Sequence, residues 1–478
     1  MIQRIKPRTA RIALFAVAHK TYDAQFEGLF DKLKEYHRRL VDTVGSYGVE
    51  TEDLGLVTDP RTSLQTAYKI NGGAFDLVIC NMVTYATSSV FAPLIKEVNV
   101  PVILAALQPR KALDYENTTT FVQLENDNIC SVSEFVCAAV KMGKKVTDAV
   151  IGSLDDPPED LREWCEAAKA LHALKGARIG LMGHTLESMY DLHTDPVAIS
   201  RDFGLHVPLV EPEELIKYYR EAGEDQIRNE LKLIDEEFDT PDPKSDPVTE
   251  KLSDSDKLKA ARGSAALKRL VKEKDLDGLA YYFEGTEGDI SRETASNLIV
   301  GNSFLNAMGI PACGEFDLKT VIAMLIMDRL DAGGSLGELH PLDLESGCIL
   351  VGHDGPHHIG IAQGKPVIRS LKKYHGKPGG GASVEFKIKE GDLTMFGIAE
   401  NGKGGFKFIV GEGVSKKGPI PATGNTNTRC FFEPDTVSFV KKWVMEGPTH
   451  HCALGVGRRA SVLKKIADCL GIEFVWVK

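Results

Sequence analysis

A change of rhythm near residue 330 constrains this chain more than any other feature. Before it, short unbroken apolar runs alternate with longer stretches at helical spacing. RIALFAVA over Arg11–Ala18, FDLVICNM over Phe75–Met82 and VPVILAAL over Val100–Leu107 have the length and content of strands buried on both faces. Phe26 to Tyr47 sets Phe26, Leu29, Phe30, Leu33, Tyr36 and Leu40 on one face of a helix, and an apolar-periodic segment spans Ser88 to Val98. Buried strands alternating with helices imply a parallel sheet covered on both sides. A second such unit begins near Ala177, with strands expected at Ala177–Gly183 and Asp275–Phe283. Between them lies a Pro/Asp-rich breaker, Asp239–Pro247, flanked by charged amphipathic helices with no evident chemistry.

After residue 330 the strands shorten and crowd. Cys348–His353, Val384–Ile388, Leu393–Ala399 and Phe406–Gly411 are separated by glycine-rich turns, the pattern of an antiparallel sheet or small barrel. A helix over Asp435–Glu446 and a helix–strand pair over Val462–Val477 close the chain. The fold class expected is therefore α/β: two Rossmann-like, flavodoxin-type parallel-sheet domains followed by a C-terminal β-rich, barrel-like domain. The expected boundaries are 1–175, 176–330 and 331–478. A length of 478 residues agrees with about three domains.

Several function classes are disfavoured. The net charge is −11, whereas phosphate backbones demand clustered Lys and Arg, so no nucleic-acid partner is expected. No apolar run reaches ~18 residues, so no membrane span is expected. The loop after the first strand, Ala18–Asp23, lacks the G-x-G-x-x-G of a dinucleotide site. Gly379–Gly381 reads as a loop, because no helix start follows it to hold phosphate. Nine cysteines form no C-x-x-C pair, which suggests reduced structural thiols and a cytoplasmic location.

Four residues of the C-terminal half stand at the ends of regular elements, beside glycine or proline. Glu315 follows a short strand and precedes the helix Leu318–Leu330. Glu338 lies just after that helix, His353 ends an apolar strand, and His451 starts another apolar segment after Gly447. Two carboxylates and two imidazoles suit Mn²⁺, Mg²⁺ or Co²⁺ with open positions better than a closed zinc site. Singly, each has an ordinary reading: Glu315 as an exposed loop carboxylate, Glu338 as a helix-end charge. Lys319 could orient Glu315 or lie on the surface at the start of the helix. His357 and His358 suit the mouth of a pocket, and His184 and His193 suit loops.

Several segments, in order, resemble one family. GEFDLKTVIAMLIM over Gly314–Met327 resembles the G-E-G-D-W-K-T-A-A-L-L segment of the L-arabinose isomerases. GPTHHC over Gly447–Cys452 resembles their G-G-A-H-H-T, LVGHDGPH over Leu350–His357 their L-G-S-H-M-L-E-V, and FKFIVGEGV over Phe406–Val414 their F-R-L-I-V-N-E-V. Fainter matches at Phe75–Ser88, Val102–Gln108 and Ile179–Leu186 extend the resemblance toward the N-terminus, within the superfamily of L-arabinose and L-fucose isomerases. The resemblance implies a Mn²⁺-dependent aldose–ketose isomerase working through a cis-enediol. It implies metal ligands at Glu315, Glu338, His353 and His451, with both glutamates as acid and base and His450 as a neighbour in the pocket. Further substrate contacts would be His19, Tyr85, Gln108 and Leu186, the N-terminal ones drawn from a neighbouring subunit of a homo-hexamer or tetramer. The family's M-E-D-Y-T-Y-H-F becomes GELHPLDL at Gly337–Leu344, so the sugar need not be L-arabinose. An L-fucose-like aldose, or a non-catalytic sugar-binding protein on the same scaffold, remains an alternative.

Overall fold

The computed structural model describes residues 2–242, 244–246, 252–370 and 381–478; Pro247 of the breaker and Gly379 and Gly380 of the glycine run lie outside the described residues. The chain divides into two compact units, Arg8–His172 and Met1–Pro7 with Ala173–Lys478.

The first unit is a five-stranded sheet. Its strands are β1 (Arg11–Val17), β2 (Glu50–Val57), β3 (Leu77–Met82), β4 (Val102–Gln108) and β5 (Asp148–Ser153), in the order β2-β1-β3-β4-β5 and all parallel. This is the flavodoxin-type arrangement expected from the sequence. β1 and β3 are apolar but for Arg11 at the start of β1 and the buried Asn81 of β3, because helices cover both their faces, and Phe15, Val78, Phe91, Leu104 and Phe135 meet in one core cluster. The outer strands β2 and β5 are partly exposed and mixed in character, so no apolar run marks them. The helical stretch from Phe26 is broken at Gly28, whose φ of 80° ends a short helix at Thr21–Gln25 and starts a second at Leu29–Ser46.

The second unit opens with four parallel strands: β6 (Ile179–Met182), β7 (Leu209–Val210), β8 (Gly278–Tyr281) and β9 (Ala312–Cys313), in the order β7-β6-β8-β9. A helix at Leu318–Arg329 follows β9. All twelve of its residues are buried, as expected of a helix packed on every side. Its charged members are paired inside. Asp328 binds Arg4 and Arg329, and Lys319, expected either to orient Glu315 or to sit on the surface, is fully enclosed. Lys319 Nζ donates to the carbonyls of Asp191 and His193, both at 3.0 Å, and so holds that loop.

The remaining strands are β10 (Gly333–Asp343), β11 (Cys348–His353), β12 (Val367–Ser370), β13 (Ala382–Glu385), β14 (Gly391–Glu400), β15 (Phe406–Ser415), β16 (Thr426–Phe432), β17 (His451–Val456) and β18 (Glu473–Val477). Six of them, in the order β14-β17-β10-β11-β16-β15, pair antiparallel, and β15 returns to β14 to close a barrel. β18 adds to β15 in parallel, while β12 and β13 form a separate ribbon. Closure leaves these six strands no unpaired edge within the ring. Val351, Cys430 and Cys452 enter one core cluster with Ile349 and Leu454. Alternation then turns their neighbours Gly352, Arg429 and His451 the other way. None of the nine cysteines is paired in a disulfide. No helix among the described residues is long and apolar enough to cross a membrane.

Candidate metal and acid–base site

The barrel register builds one wall of the site. His451 on β17 stands opposite Glu338 on β10, Glu338 opposite Gly352 on β11, and Gly352 opposite Asn427 on β16. The four residues thus form one row across four strands. Gly352 is required there: a Cβ on it would come 1.9 Å from the Thr426 carbonyl oxygen. His353, the last residue of β11, adds its ring from the strand end. Glu338 lies inside a strand, not at a helix end.

Glu315 arrives from β9 through a tight turn. Glu315 and Phe316 both adopt left-handed backbone, with φ of 59° and 62°. Each such non-glycine residue costs about 1–2 kcal/mol. The turn is held by the Phe316 N–H on the Tyr281 carbonyl (3.0 Å) and by Asp317, which caps the following helix at Thr320 N (3.0 Å). Strain held in place by this bonding fixes the direction of the Glu315 side chain.

These elements converge. One ligand atom each from Glu338, His353 and His451 lie within 4.8 Å of one another, and so do those of Glu315, His450 and His451. His353 Nε2 and His451 Nε2 face each other at 3.1 Å. Glu315 Oε1 lies 3.8 Å from His353 Nε2, and Glu315 Oε2 lies 3.4 Å from the Nε2 atoms of both His450 and His451. Glu315 Oε2 is buried and makes no hydrogen bond. A buried carboxylate oxygen without a hydrogen bond is uncommon, and here its nearest charge partner is the His450 imidazole at 3.4 Å. A divalent ion with mixed O and N ligands would satisfy it, so the donor set fits the metal implied by the sequence.

The environment sets the charges to match. Burial pushes the His353 imidazolium down to about 4, with the neighbouring His451 adding to the effect, so a neutral ring is available as a ligand. Gly355 N–H donates to His353 Nδ1 at 2.8 Å, which places the ring proton of free His353 on Nε2, facing His451. Coordination through Nε2 would need the other neutral tautomer, with the ring proton on Nδ1. On the far side of His451, Nδ1 bonds fully buried Asp317 at 3.0 Å. Burial opposes ionisation of Asp317, yet His451 and Lys319 hold its carboxyl at about 2. Glu338 is likewise held at about 2, because His340 and His353 outweigh burial. Despite burial, nearby imidazoles likewise hold the Glu315 carboxyl below its usual range, so both glutamates and His353 are in ligating form at neutral pH.

His450 differs. Its Nδ1 bonds Asp191 at 2.7 Å and its backbone N–H donates to the same carboxylate at 3.0 Å. Burial alone would lower its basicity, but Glu315 and Asp191 raise it to about 9. A group whose basicity rises on folding stabilises fully below its unfolded value and loses that contribution as pH climbs through its folded one. The metal-free protein should therefore lose thermal stability between pH 6.5 and 9, and Asp191→Asn should flatten that slope. Calorimetric melting midpoints across this range, in chelator, test the expectation; equal slopes for both proteins would refute it.

Among the other expected residues, Leu186 sits half-buried in the loop after β6 of the same unit. His19, Tyr85 and Gln108 belong to the first unit, at or just beyond the carboxyl ends of β1, β3 and β4. There His19 stacks on Tyr85 with ring centroids 6.1 Å apart, and its N–H donates to the Tyr85 carbonyl. Gln108 Nε2 donates to the Asn126 carbonyl at 3.1 Å. His357 is enclosed between Ser335 and the His353 carbonyl, and His358 approaches Asp328. Both are packing groups, not groups at a pocket mouth. Sequence reasoning passed over Asp317, His340, Asn427 and Asp191. Asp317 alone carried a signal, as an acidic residue directly before a helix. The others are joined to the site by barrel register and loop packing, which no local spacing encodes.

The chain matches no protein-family model. It is 22% identical over 406 residues to the L-arabinose isomerase of Aeromonas hydrophila subsp. hydrophila, spanning 82% of this chain and 79% of that protein. It is 23% identical over 353 residues to the L-arabinose isomerase of Geobacillus thermodenitrificans, spanning 71% and 68%. With the L-arabinose isomerase of Tolumonas auensis the identity is 22% over 412 residues, spanning 83% and 79%.

Proposed function

We propose that this chain, which belongs to the L-arabinose isomerase-like family, is a metal-dependent aldose–ketose isomerase acting on a free sugar through a cis-enediol. The observation that carries this reading is the pair of donor groups Glu338–His353–His451 and Glu315–His450–His451, which share the His451 ring. Isomerisation moves a proton between C1 and C2 of the sugar. The α-proton is weakly acidic, so a base must act while the developing enediolate is stabilised. A bound Mn²⁺, or Co²⁺ or Mg²⁺ in its place, would polarise the two sugar oxygens and orient them.

The protein's own groups do the rest. Glu315 and Glu338 are ionised and take up and return the proton from two sides. His353 and His451 supply nitrogen ligands, with Asp317 holding the ring of His451 in one orientation. His450, kept protonated by Asp191 and Glu315, offers a cationic donor toward a sugar hydroxyl. Leu186 lines the pocket. His19, Tyr85 and Gln108 are proposed as further sugar contacts, contributed by a neighbouring copy in a cytoplasmic homo-oligomer.

A panel of aldopentoses and aldohexoses, assayed after metal removal and again with Mn²⁺ restored, tests the proposal. Ketose should form from at least one sugar with Mn²⁺ and from none without it. Stoichiometric Mn²⁺ binding with no ketose from any sugar would overturn it in favour of a binding protein on this scaffold.

A further inference from the structure

Each of the two carboxylates has a histidine beside it that is not counted among the metal ligands: His450 for Glu315 and His340 for Glu338. His340 Nε2 lies 3.0 Å from Glu338 Oε1, and its Nδ1 meets Asn427 Oδ1 in a short contact. Ring orientation is therefore fixed at both nitrogens. Nothing assigns His340 a role, and its ordinary reading would be a strand residue filling a surface gap.

Two observations go against that reading. The register between β10 and β11 slips between Leu339 and Leu342: Leu339 pairs Val351, whereas Leu342 pairs Ile349, so His340 and Pro341 together oppose the single residue Leu350. This is a β-bulge, and Pro341 could not have donated to the ladder in any case. Bulges re-aim side chains and break simple alternation, and they recur beside functional groups. Glu338 and His340, two residues apart, share one strand face, and the bulge takes His340 out of the ladder beside Glu338. The second observation is the open space the ring borders. Glu338 and His340 also line a cavity of about 440 Å³ together with Thr423, Asn425 and Asn427. Without the ring, the Glu338 carboxylate would border open space and could swing away from His353 and His451.

We propose that His340, braced by Asn427, is a positioning residue that engages Glu338 Oε1 and so directs Oε2 to the metal site. The inference rests on the metal reading above. It gives the two carboxylates different supports: Glu315 is fixed by its strained backbone turn, Glu338 by a side-chain bridge. It also locates a function in GELHPLDL, the segment where the chain departs from the family's pattern. Groups that orient metal ligands typically change metal affinity by roughly 10–100-fold when lost.

The test is Mn²⁺ titration of the full-length protein without sugar, followed by the electron paramagnetic resonance signal of the free ion. The parent, Glu338→Gln, His340→Leu, His340→Gln and Asn427→Leu are compared, with circular dichroism and melting midpoints as a check on folding. His340→Leu should weaken Mn²⁺ binding roughly 10–100-fold. His340→Gln keeps an amide donor that can reach Glu338 and should recover most of the loss, while Asn427→Leu should fall between. If His340→Leu binds Mn²⁺ as tightly as the parent, the proposal is wrong. Glutamine binding as weakly as leucine would also overturn it, since a gap-filling role has no need of a donor. Should His340→Leu not fold, the ranking of His340→Gln and Asn427→Leu against the parent decides. A parent that binds no Mn²⁺ at all sinks the metal reading itself, an outcome distinct from the others.

Discussion

Glu315→Gln should reduce ketose formation by about 10²–10⁴-fold, the range typical for a lost general acid–base group, while leaving the fold intact. The side chain is nearly isosteric and the turn that carries it is fixed by backbone bonds, namely Phe316 N–H to the Tyr281 carbonyl and the Asp317 cap on Thr320. Stability should therefore change little. The two outcomes read together are the test: single-turnover rates on the best sugar of the panel, and the melting midpoint of the metal-free protein. A variant with full turnover would remove Glu315 from the chemistry. A variant that loses both activity and several degrees of stability would point to a structural role instead.

Asp317→Ala should be the most damaging single change in the site. Asp317 is fully buried and does three things at once. It accepts from Thr320 N and from Thr320 Oγ1, capping the central buried helix, and it bonds His451 Nδ1. Losing a cap typically costs about 1 kcal/mol. Leaving a buried partner unpaired costs about 1–3 kcal/mol more. Together they predict a destabilisation of about 3 kcal/mol, measurable as a lower urea midpoint at unchanged slope. Mn²⁺ affinity should fall as well, by roughly tenfold or more, because the His451 ring loses the bond that orients it. Asp317→Asn separates the two effects. The amide oxygen can still cap Thr320, so most of the stability should return, but an amide is a poorer partner for His451 and the metal defect should persist. If the asparagine protein binds Mn²⁺ normally, Asp317 matters to the helix alone.

The parallel sheets were legible because strands buried on both faces are mostly apolar, and β1, β3, β4 and β6 are of this kind apart from Arg11, Asn81 and Gln108. The strands that escaped notice are those whose surroundings are mixed. β2 and β5 are partly exposed, and β10 carries glycine, glutamate and histidine in a stretch with no periodic signal. β10 is nonetheless central to the site, since it holds Glu338 between His451 and Gly352. The candidate residues were legible as glutamates and histidines beside glycine or proline, although Glu338 lies inside β10 and not at an element end. Their mutual placement was not, because Glu338, His353 and His451 are set by barrel register and Glu315 comes from the turn after β9. Lys319 shows the same limit from the other side. A lysine at a helix start commonly faces water, and only the packing of the Asp191–His193 loop over it accounts for its burial.

The row His451–Glu338–Gly352–Asn427 also ties the site to the topology of the barrel. A strand has a two-residue period, so a slip of one residue in any of β10, β11, β16 or β17 would turn its member of the row to the opposite face. Strands separated by up to about a hundred residues of chain must therefore all find the right partners before a complete donor set exists. With an ion bound as proposed, its uptake would be a proofreading signal for the barrel: a compact but misregistered chain would not hold the ion, and binding would select the correctly woven form from its near-misses.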